Sequence, residues 1–388
     1  MINKFHHLLS YLPQKMKTEV RELYASALIL YFGLALIFIF EPIYLYRLGY
    51  SLQQIMMFWV IVYAVYIFIL PLGGKVAERF GYEHTIFYGT FFWILLYLCM
   101  YLIQYWPIFF FITPIVWAIQ KSLYWPAYHA NFAKYSGNQE EGREISFLTI
   151  LTSASYVVGP IFGGFILYFW GFSVLFIVVA ILLLVSNVPM LLTKEKFKPV
   201  PVDYQYSFKR MFAKENRKQF LAYMGFGEEI LVVVVWPIFI SIFITSYLSI
   251  GWLVGVATLI TALVTLFIGK WADRINKREI LKIGVSFYSL SWVLRLIIAG
   301  PWSIFFTDTL SRASKNTINV PLQAITYENA KNYTIMNTVL MFEMSLAIGK
   351  LIACLAALIL VSLFSVGLIP FYIIFAMAGA ITWLYVLL

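Results

Sequence analysis

The sequence predicts an all-α integral membrane protein of twelve transmembrane helices arranged as two pseudo-symmetric six-helix bundles. Three observations predict it. Of 388 residues, 62% are hydrophobic and only 12% charged, against roughly 25% charged in soluble domains. The apolar residues gather in twelve runs, each near the ~20 residues that a helix needs to cross a bilayer. The second half of the chain also repeats landmarks of the first at a constant offset.

The expected spans are 23–47, 54–72, 85–104, 107–131, 146–169, 171–192, 219–246, 251–268, 280–299, 302–327, 335–362 and 367–388. Their apolar runs are continuous, unlike barrel strands, which alternate over about 10 residues; the helix is then the structure that satisfies its own backbone in lipid. Short turns such as Tyr105-Trp106 and Gly300-Pro301 join neighbouring helices as hairpins. Residues 1–22 mix Lys4, Lys15, Lys17 and Arg21 with Glu19, Glu22 and Pro13. They lack a short apolar core followed by a cleavage site, and read as an interfacial lead-in to the first span. Residues 193–218 carry Pro199, Pro201 and a run of charges. They read as a cytoplasmic linker between an N-terminal bundle, 23–192, and a C-terminal bundle, 219–388.

Lys and Arg crowd the N-terminus and the 73–84, 131–145, 193–218 and 269–282 segments, whereas the intervening turns hold almost none, Arg47 excepted. The positive-inside rule puts those loops and both termini on the cytoplasmic side of a cell membrane. The net charge of +10 is thereby assigned to loop retention and anionic headgroups, not to nucleic acid. Cys99 and Cys354 lie inside apolar runs and read as packing residues. His6, His7, His84 and His129 have no partner at metal-ligand spacing. The chain carries no phosphate-binding glycine loop and no nucleophile–base constellation at a membrane face. No cofactor, no ATP hydrolysis and no enzyme active site are expected.

The repeat appears on shifting the first half by 195 positions. Pro42-Ile43 then falls on Pro237-Ile238, Gly74-Lys75-Val76-Ala77-Glu78-Arg79 on Gly269-Lys270-Trp271-Ala272-Asp273-Arg274, and Pro126 on Pro321. Three separated landmarks in one register argue for duplication of a six-helix unit.

The stretch from Gly74 to Gly81, with Glu78-Arg79 between its glycines, resembles the signature of the loop between helices 2 and 3 in the major facilitator superfamily. Gly269 to Lys277 resembles its counterpart between helices 8 and 9. The resemblance covers nearly the whole chain in topology, and in sequence these loops and a few helix positions. It implies that superfamily's fold and transport by alternating access. It also implies that Gly74, Glu78, Arg79, Gly81, Gly269, Asp273 and Arg274 form a cytoplasmic gate. A glycine lets helix ends approach closely, an acid can face a positive helix N-terminus, and an arginine can pair with a carboxylate across the junction. The other reading of these charges is loop retention alone. Gly159-Pro160-Ile161-Phe162-Gly163-Gly164 in the fifth span resembles the glycine-proline motif of the superfamily's exporters and favours efflux. Generic packing of Gly159, Pro160, Gly163 and Gly164 is the alternative. The arginine that such exporters often carry about twelve residues before a proline matching Pro126 is absent; Pro114 stands there, and Lys121 is the only cation of this helix.

The charged residues inside the spans speak to mechanism. Each costs at least ~2.5 kcal/mol in hydrocarbon, so each is expected to face a cavity and a partner. The carboxylates are Glu41, Glu228, Glu229, Asp308 and Glu343; the cations are Lys121, Arg295, Arg312, Lys315 and Lys350. The superfamily resemblance puts helices 1, 4, 7 and 10 around a central cavity, and Glu41, Lys121, Glu228, Glu229, Asp308, Arg312 and Lys315 fall on those four. Asp308, Arg312 and Lys315 are spaced i, i+4, i+7 on one face, and Glu343 and Lys350 share a face of helix 11. At ~1.5 Å per residue, Arg312 and the two adjacent glutamates reach one level near the midplane. Neighbours diverge by about 100°, so one glutamate is expected toward the cavity and the other toward another helix. Glu41 reads either as a further proton- or substrate-binding carboxylate or as a partner for Arg47. Arg295 reads as interfacial, and Asp308–Arg312 as a possible intrahelical pair. Tyr44, Tyr124, Trp125 and Tyr128 are candidates for cavity lining, although such stripes more often pack.

The expectation is a secondary active transporter that moves an organic solute coupled to protons, exporter-like, as a monomer in the lipid bilayer. The alternatives are proton-coupled uptake of a small metabolite and a non-transporting membrane sensor. The cations admit an anionic or zwitterionic solute, the carboxylates a cationic one.

Overall fold

The computed structural model describes residues 18–135, 139–189, 204–272, 277–331, 335–364 and 366–388. Among the described residues every regular element is helical, and nine helices are long and apolar enough to cross a membrane. In chain order the α-helices are α1 (Thr18–Ile37), α2 (Glu41–Arg47), α3 (Leu52–Phe80), α4 (Tyr82–Leu102), α5 (Phe109–Tyr135), α6 (Gln139–Ser186), α7 (Tyr204–Met211), α8 (Arg217–Met224), α9 (Gly227–Phe243), α10 (Tyr247–Ala272), α11 (Lys277–Leu294), α12 (Pro301–Lys331), α13 (Ile335–Leu363) and α14 (Ile369–Thr382). The chain closes on a 3-10 turn, Trp383–Leu387.

Local chemistry explains the ends. Ser51 caps α3 reciprocally: its hydroxyl accepts from Gln54 N, while the Gln54 side chain accepts from Ser51 N at 2.9 Å. Gly81, at φ +93°, makes the reversal from α3 into α4, a conformation that a side chain would strain. Gly171, at φ +76°, interrupts the 48-residue α6, which is therefore two helices joined without a loop.

Several expected boundaries shift. The first expected span, 23–47, breaks into α1 and α2 around a turn at 38–40. The seventh, 219–246, breaks at Gly225 and Phe226, where the amides of Gly225, Phe226, Glu228 and Glu229 each bond three residues back. Both breaks lie inside apolar spans, so hydropathy does not mark them; Pro42 just after the first and Gly225 and Gly227 at the second are the residues that do. The described part of the expected linker is also largely helical, with α7 and a 3-10 turn at Lys214–Asn216.

Glycines set how closely the helices pack. A Cβ at Gly73 of α3 would meet the Ser122 carbonyl of α5, one at Gly349 of α13 would meet Met224 of α8, and one at Gly227 would lie 2.6 Å from Gly349 O. These contacts seat α3 on α5 and the α8–α9 break on α13. The two halves of the chain meet along α3 with α13 and along α6 with α10. In the second contact Pro160 O abuts Gly251, and Val157 O lies 2.7 Å from the Cβ position of Gly255.

Candidate functional site

Between the halves lies a cavity of about 270 Å³. The first half supplies Tyr63 from α3 and Lys121, Trp125 and His129 from α5; the second supplies Phe226, Glu229, Asn319, Thr326, Phe342, Glu343, Leu346 and Lys350. Lys121, Trp125 and His129 stand four residues apart, so α5 turns them along one face. Glu343, Leu346 and Lys350, three and four residues apart, share one face of α13 in the same way. The helix break at Gly225–Phe226 puts Glu228 and Glu229 in the first turn of α9, against α13 through the Gly227–Gly349 approach.

The acids on the cavity wall are both paired. Glu229 Oε2 lies 2.5 Å from Lys350 Nζ. Glu343 Oε1 lies 3.2 Å from His129 Nε2, and Tyr66 OH donates to Glu343 Oε2 at 2.7 Å. This second set bridges the halves, since Tyr66 and His129 belong to the first and Glu343 to the second. Lys121 differs. Its ammonium lies 5.5, 6.0 and 5.8 Å from the rings of Tyr63, Tyr66 and Trp125, and it has no hydrogen bond or ion pair among the described residues.

Glu228 and Glu229 diverge as neighbours on a helix must. Glu229 faces the cavity, while Glu228 is fully buried within the second half. There Glu228 is paired with Lys315 and accepts from Tyr288 OH at 2.5 Å and Tyr385 OH at 2.9 Å. Lys315 also donates to Tyr385 OH at 2.6 Å. A buried carboxylate thus has three donors, the condition under which burial of charge is tolerable.

Other expected site residues sit elsewhere. Asp308, Arg312 and Lys315 do not line the cavity, which takes Asn319 and Thr326 from α12 instead. Arg312 Nε donates to Asp308 Oδ2 at 2.6 Å, and Trp236 Nε1 donates to Asp308 Oδ1 at 2.8 Å. Arg295 is not interfacial. It is fully buried, with its guanidinium 4.1 Å from the Trp236 ring and 4.0 Å from the Trp292 ring, and Nη2 donating to Ser311 Oγ at 2.9 Å. Its planar, weakly hydrated head suits stacking between indoles. Glu41 is buried in the first half, away from the cavity and from Arg47; Tyr97 OH donates to it at 2.9 Å. Arg47 instead donates to Thr245 O at 3.4 Å and lies 5.9 Å from the Tyr247 ring, across the contact between the halves.

The loop and packing motifs take the following places. Gly74 is buried in α3, Gly81 makes the α3–α4 turn, and Glu78 is half-buried. Arg79 lies 5.3 Å from the Phe80 ring. Neither Glu78 nor Arg79 has an ion pair among the described residues. Gly269 belongs to α10, and Asp273 and Arg274 lie outside the described residues. A Cβ at Gly159 would meet Ala35, one at Gly163 the Leu36 carbonyl, and one at Gly164 would lie 2.5 Å from Tyr247 O. The Gly159–Gly164 segment therefore seats α6 on α1 and, across the halves, on α10.

His129, Tyr66, Tyr97, Tyr288 and Tyr385 are the partners that sequence reasoning missed. The i, i+4, i+8 register of Lys121, Trp125 and His129 is a signal that could have found His129. The tyrosines carry no such mark, being four among 27.

The family model for the Major Facilitator Superfamily matches residues 23–217. None of the curated proteins matches the chain. With that match over half the chain, and with apolar helices that cross the membrane many times, the protein belongs to the Major Facilitator Superfamily, a superfamily of multi-pass membrane transporters for small molecules.

Proposed function

We propose that the protein is a proton-coupled secondary transporter that exports a small organic solute by rocking two six-helix halves, 23–192 and 219–388, about the cavity. The twelve-helix reading is supported by the nine apolar spans, one of which is double across Gly171, together with α5 and α12. These two helices, of 27 and 31 residues, carry the polar side chains of the site, such as Lys121 and His129 on α5 and Asn319 on α12. That polarity is the physical reason they are less apolar than the rest. Both termini face the cytoplasm by the placement of basic loops, and the protein works as a monomer.

The observation that carries this reading is the pair of acid–base contacts, Glu229–Lys350 and Glu343–His129, on the walls of one cavity between the halves. Charges this deep persist because they meet partners, and the Glu343 pair holds only while the two halves are close. A proton delivered to Glu343 weakens its attraction to His129 and loosens the contact; carboxylates and imidazoles are the usual relays of such pumps. Export is the direction favoured by the glycine-proline segment of α6, whose tight seat on α10 closes one end of the passage.

The test is solute-driven proton movement in proteoliposomes holding a pH-sensitive dye, with anionic, neutral and cationic solutes in both membrane orientations. Wild-type protein should move protons with one solute class, and Glu229→Gln and Glu343→Gln should each lower the rate tenfold or more. Undiminished exchange in both variants would remove the cavity pairs from the mechanism. Solute moving only in the opposite direction would make the protein an importer.

A further inference from the structure

The cavity that we assign to transport also bears on what it takes. Its two acids have partners, Lys350 for Glu229 and His129 for Glu343. Its remaining cation, Lys121, makes no hydrogen bond or ion pair among the described residues: the nearest rings lie 5.5 to 6.0 Å away, and Lys350, Glu343, Glu229 and Glu41 act on it only through the longer-range field. At such distances a cation–π contact is at its outer limit, too weak to offset a full charge this deep in a membrane protein. On the same cavity, Asn319 Oδ1 is buried with no hydrogen-bond partner, and buried acceptors are normally satisfied. An ammonium and a buried carbonyl oxygen are thus among the groups of the wall that have no partner among the described residues. A cationic solute would meet no free carboxylate here and would have to displace Lys350 or His129 first.

From these observations we propose that the transported solute is a small organic anion whose carboxylate binds the Lys121 ammonium. Its body lies against Trp125 and Tyr63, and an N–H or O–H of the solute can donate to Asn319. A volume of about 270 Å³, just under the ~300–1,000 Å³ of ordinary ligand pockets, suits a molecule of one ring and a short side chain. The aromatic walls offer flat faces to that ring, and the carboxylate replaces water at Lys121 with a charge-assisted hydrogen bond. This rests on the reading of the cavity as the transport site.

The experiment uses three probes with nearly the same body and different charge: phenylacetate, phenylacetamide and phenethylamine. Binding to the full-length protein in nanodiscs is measured by titration calorimetry, and flux of each probe is measured in proteoliposomes. Phenylacetate should bind about tenfold or more tightly than the amide, with the amine weakest. Lys121→Gln should abolish the preference of anion over amide, while Lys121→Arg, which keeps the charge and guards against a merely misfolded variant, should retain it. Tighter binding of the amine or the amide, a preference untouched by Lys121→Gln, or binding of none of the three overturns the proposal. Anion-selective, Lys121-dependent binding without flux would keep Lys121 as the carboxylate-binding group of the cavity and remove the transport reading. Flux of the amine or the amide that does not depend on Lys121 would do the reverse.

Discussion

Gly163→Leu is expected to leave little folded protein. A Cβ at this position would meet the carbonyl oxygen and carbon of Leu36 and lie 3.1 Å from the Phe40 ring. The nearest obstacles are backbone, so no rotamer change in α1 can make room, and α1 and α6 must separate. Overpacking in a close-packed interior costs ~1–3 kcal/mol, occasionally more, and a leucine here belongs at or above that upper end. Helix association in lipid depends on close packing because no hydrophobic force separates helix from acyl chain, so the loss spreads along the whole α1–α6 contact. Gly163→Ala should show a milder form of the same defect. Gly300→Ala is the control: nothing lies within 4 Å of its Cβ position, and it should behave as wild type. The midpoint of thermal unfolding, followed by size-exclusion of the detergent-solubilised protein, orders the three variants. Equal midpoints for Gly163→Leu and wild type would mean that α1 and α6 are not in contact as described.

Lys315→Met carries the second large effect. It leaves Glu228, fully buried, with two tyrosine donors and no cation. Removing one partner of a buried ion pair typically costs ~3–5 kcal/mol, mostly the penalty of the stranded charge, whereas replacing both partners is often near neutral. The double variant Glu228→Gln/Lys315→Met should therefore recover most of the stability lost by Lys315→Met alone. The same thermal midpoints read the coupling between the two positions. Additive losses would mean that the two side chains do not meet. Because this cluster lies off the cavity, its variants should lose protein stability before they lose solute preference, the reverse of what is expected at Lys121.

Much of this was legible before any coordinates. Apolar runs and basic loops mark where helices cross, and Gly171 falls at the boundary drawn between residues 169 and 171. The helix breaks at 38–40 and at Gly225–Phe226 were not legible from hydropathy, because a span interrupted inside the membrane keeps the same hydropathy as one that continues; Pro42, Gly225 and Gly227 are the residues that mark them. The list of intramembrane charges was readable too, since each is conspicuous against its surroundings. Their pairing was readable only within one helix, as for Asp308 and Arg312, where a four-residue spacing fixes the geometry. Glu343 finds Tyr66 and His129, and Glu228 finds Lys315, Tyr288 and Tyr385, through contacts between distant segments that local periodicity does not encode. Arg295 was misplaced for the opposite reason: nearness to a helix end suggests an interface, but two flanking indoles from α9 and α11 cover it. Glu41 and Arg47 lie within reach along the sequence, yet Tyr97 takes the one and Thr245 the other.

The glycine positions separate in the same way. The Gly159–Gly164 segment stood out as a motif, but its partners Gly251 and Gly255 on α10 did not, since neither lies in a recognisable signature. A small residue becomes informative only when the opposing backbone is known. The cavity likewise drew its walls from α3 and α13 as well as from α5, α9 and α12, because close glycine-mediated contacts, Gly73 with Ser122 and Gly227 with Gly349, bring those helices to it.

The central claim is that two halves rock about a charged cavity, so that when one end of the passage closes the other opens. Spin-label distance measurement tests it most directly. One label pair, Leu48→Cys with Ser249→Cys, spans the halves at the Arg47 end; another, Phe80→Cys with Lys282→Cys, spans them at the opposite end. All four positions are exposed, and the native Cys99 and Cys354 are buried and compete little for label. On shifting pH or adding a transported solute, one distance distribution should lengthen while the other shortens. If both stay fixed, or both lengthen together, the halves do not exchange access across the cavity and the account fails.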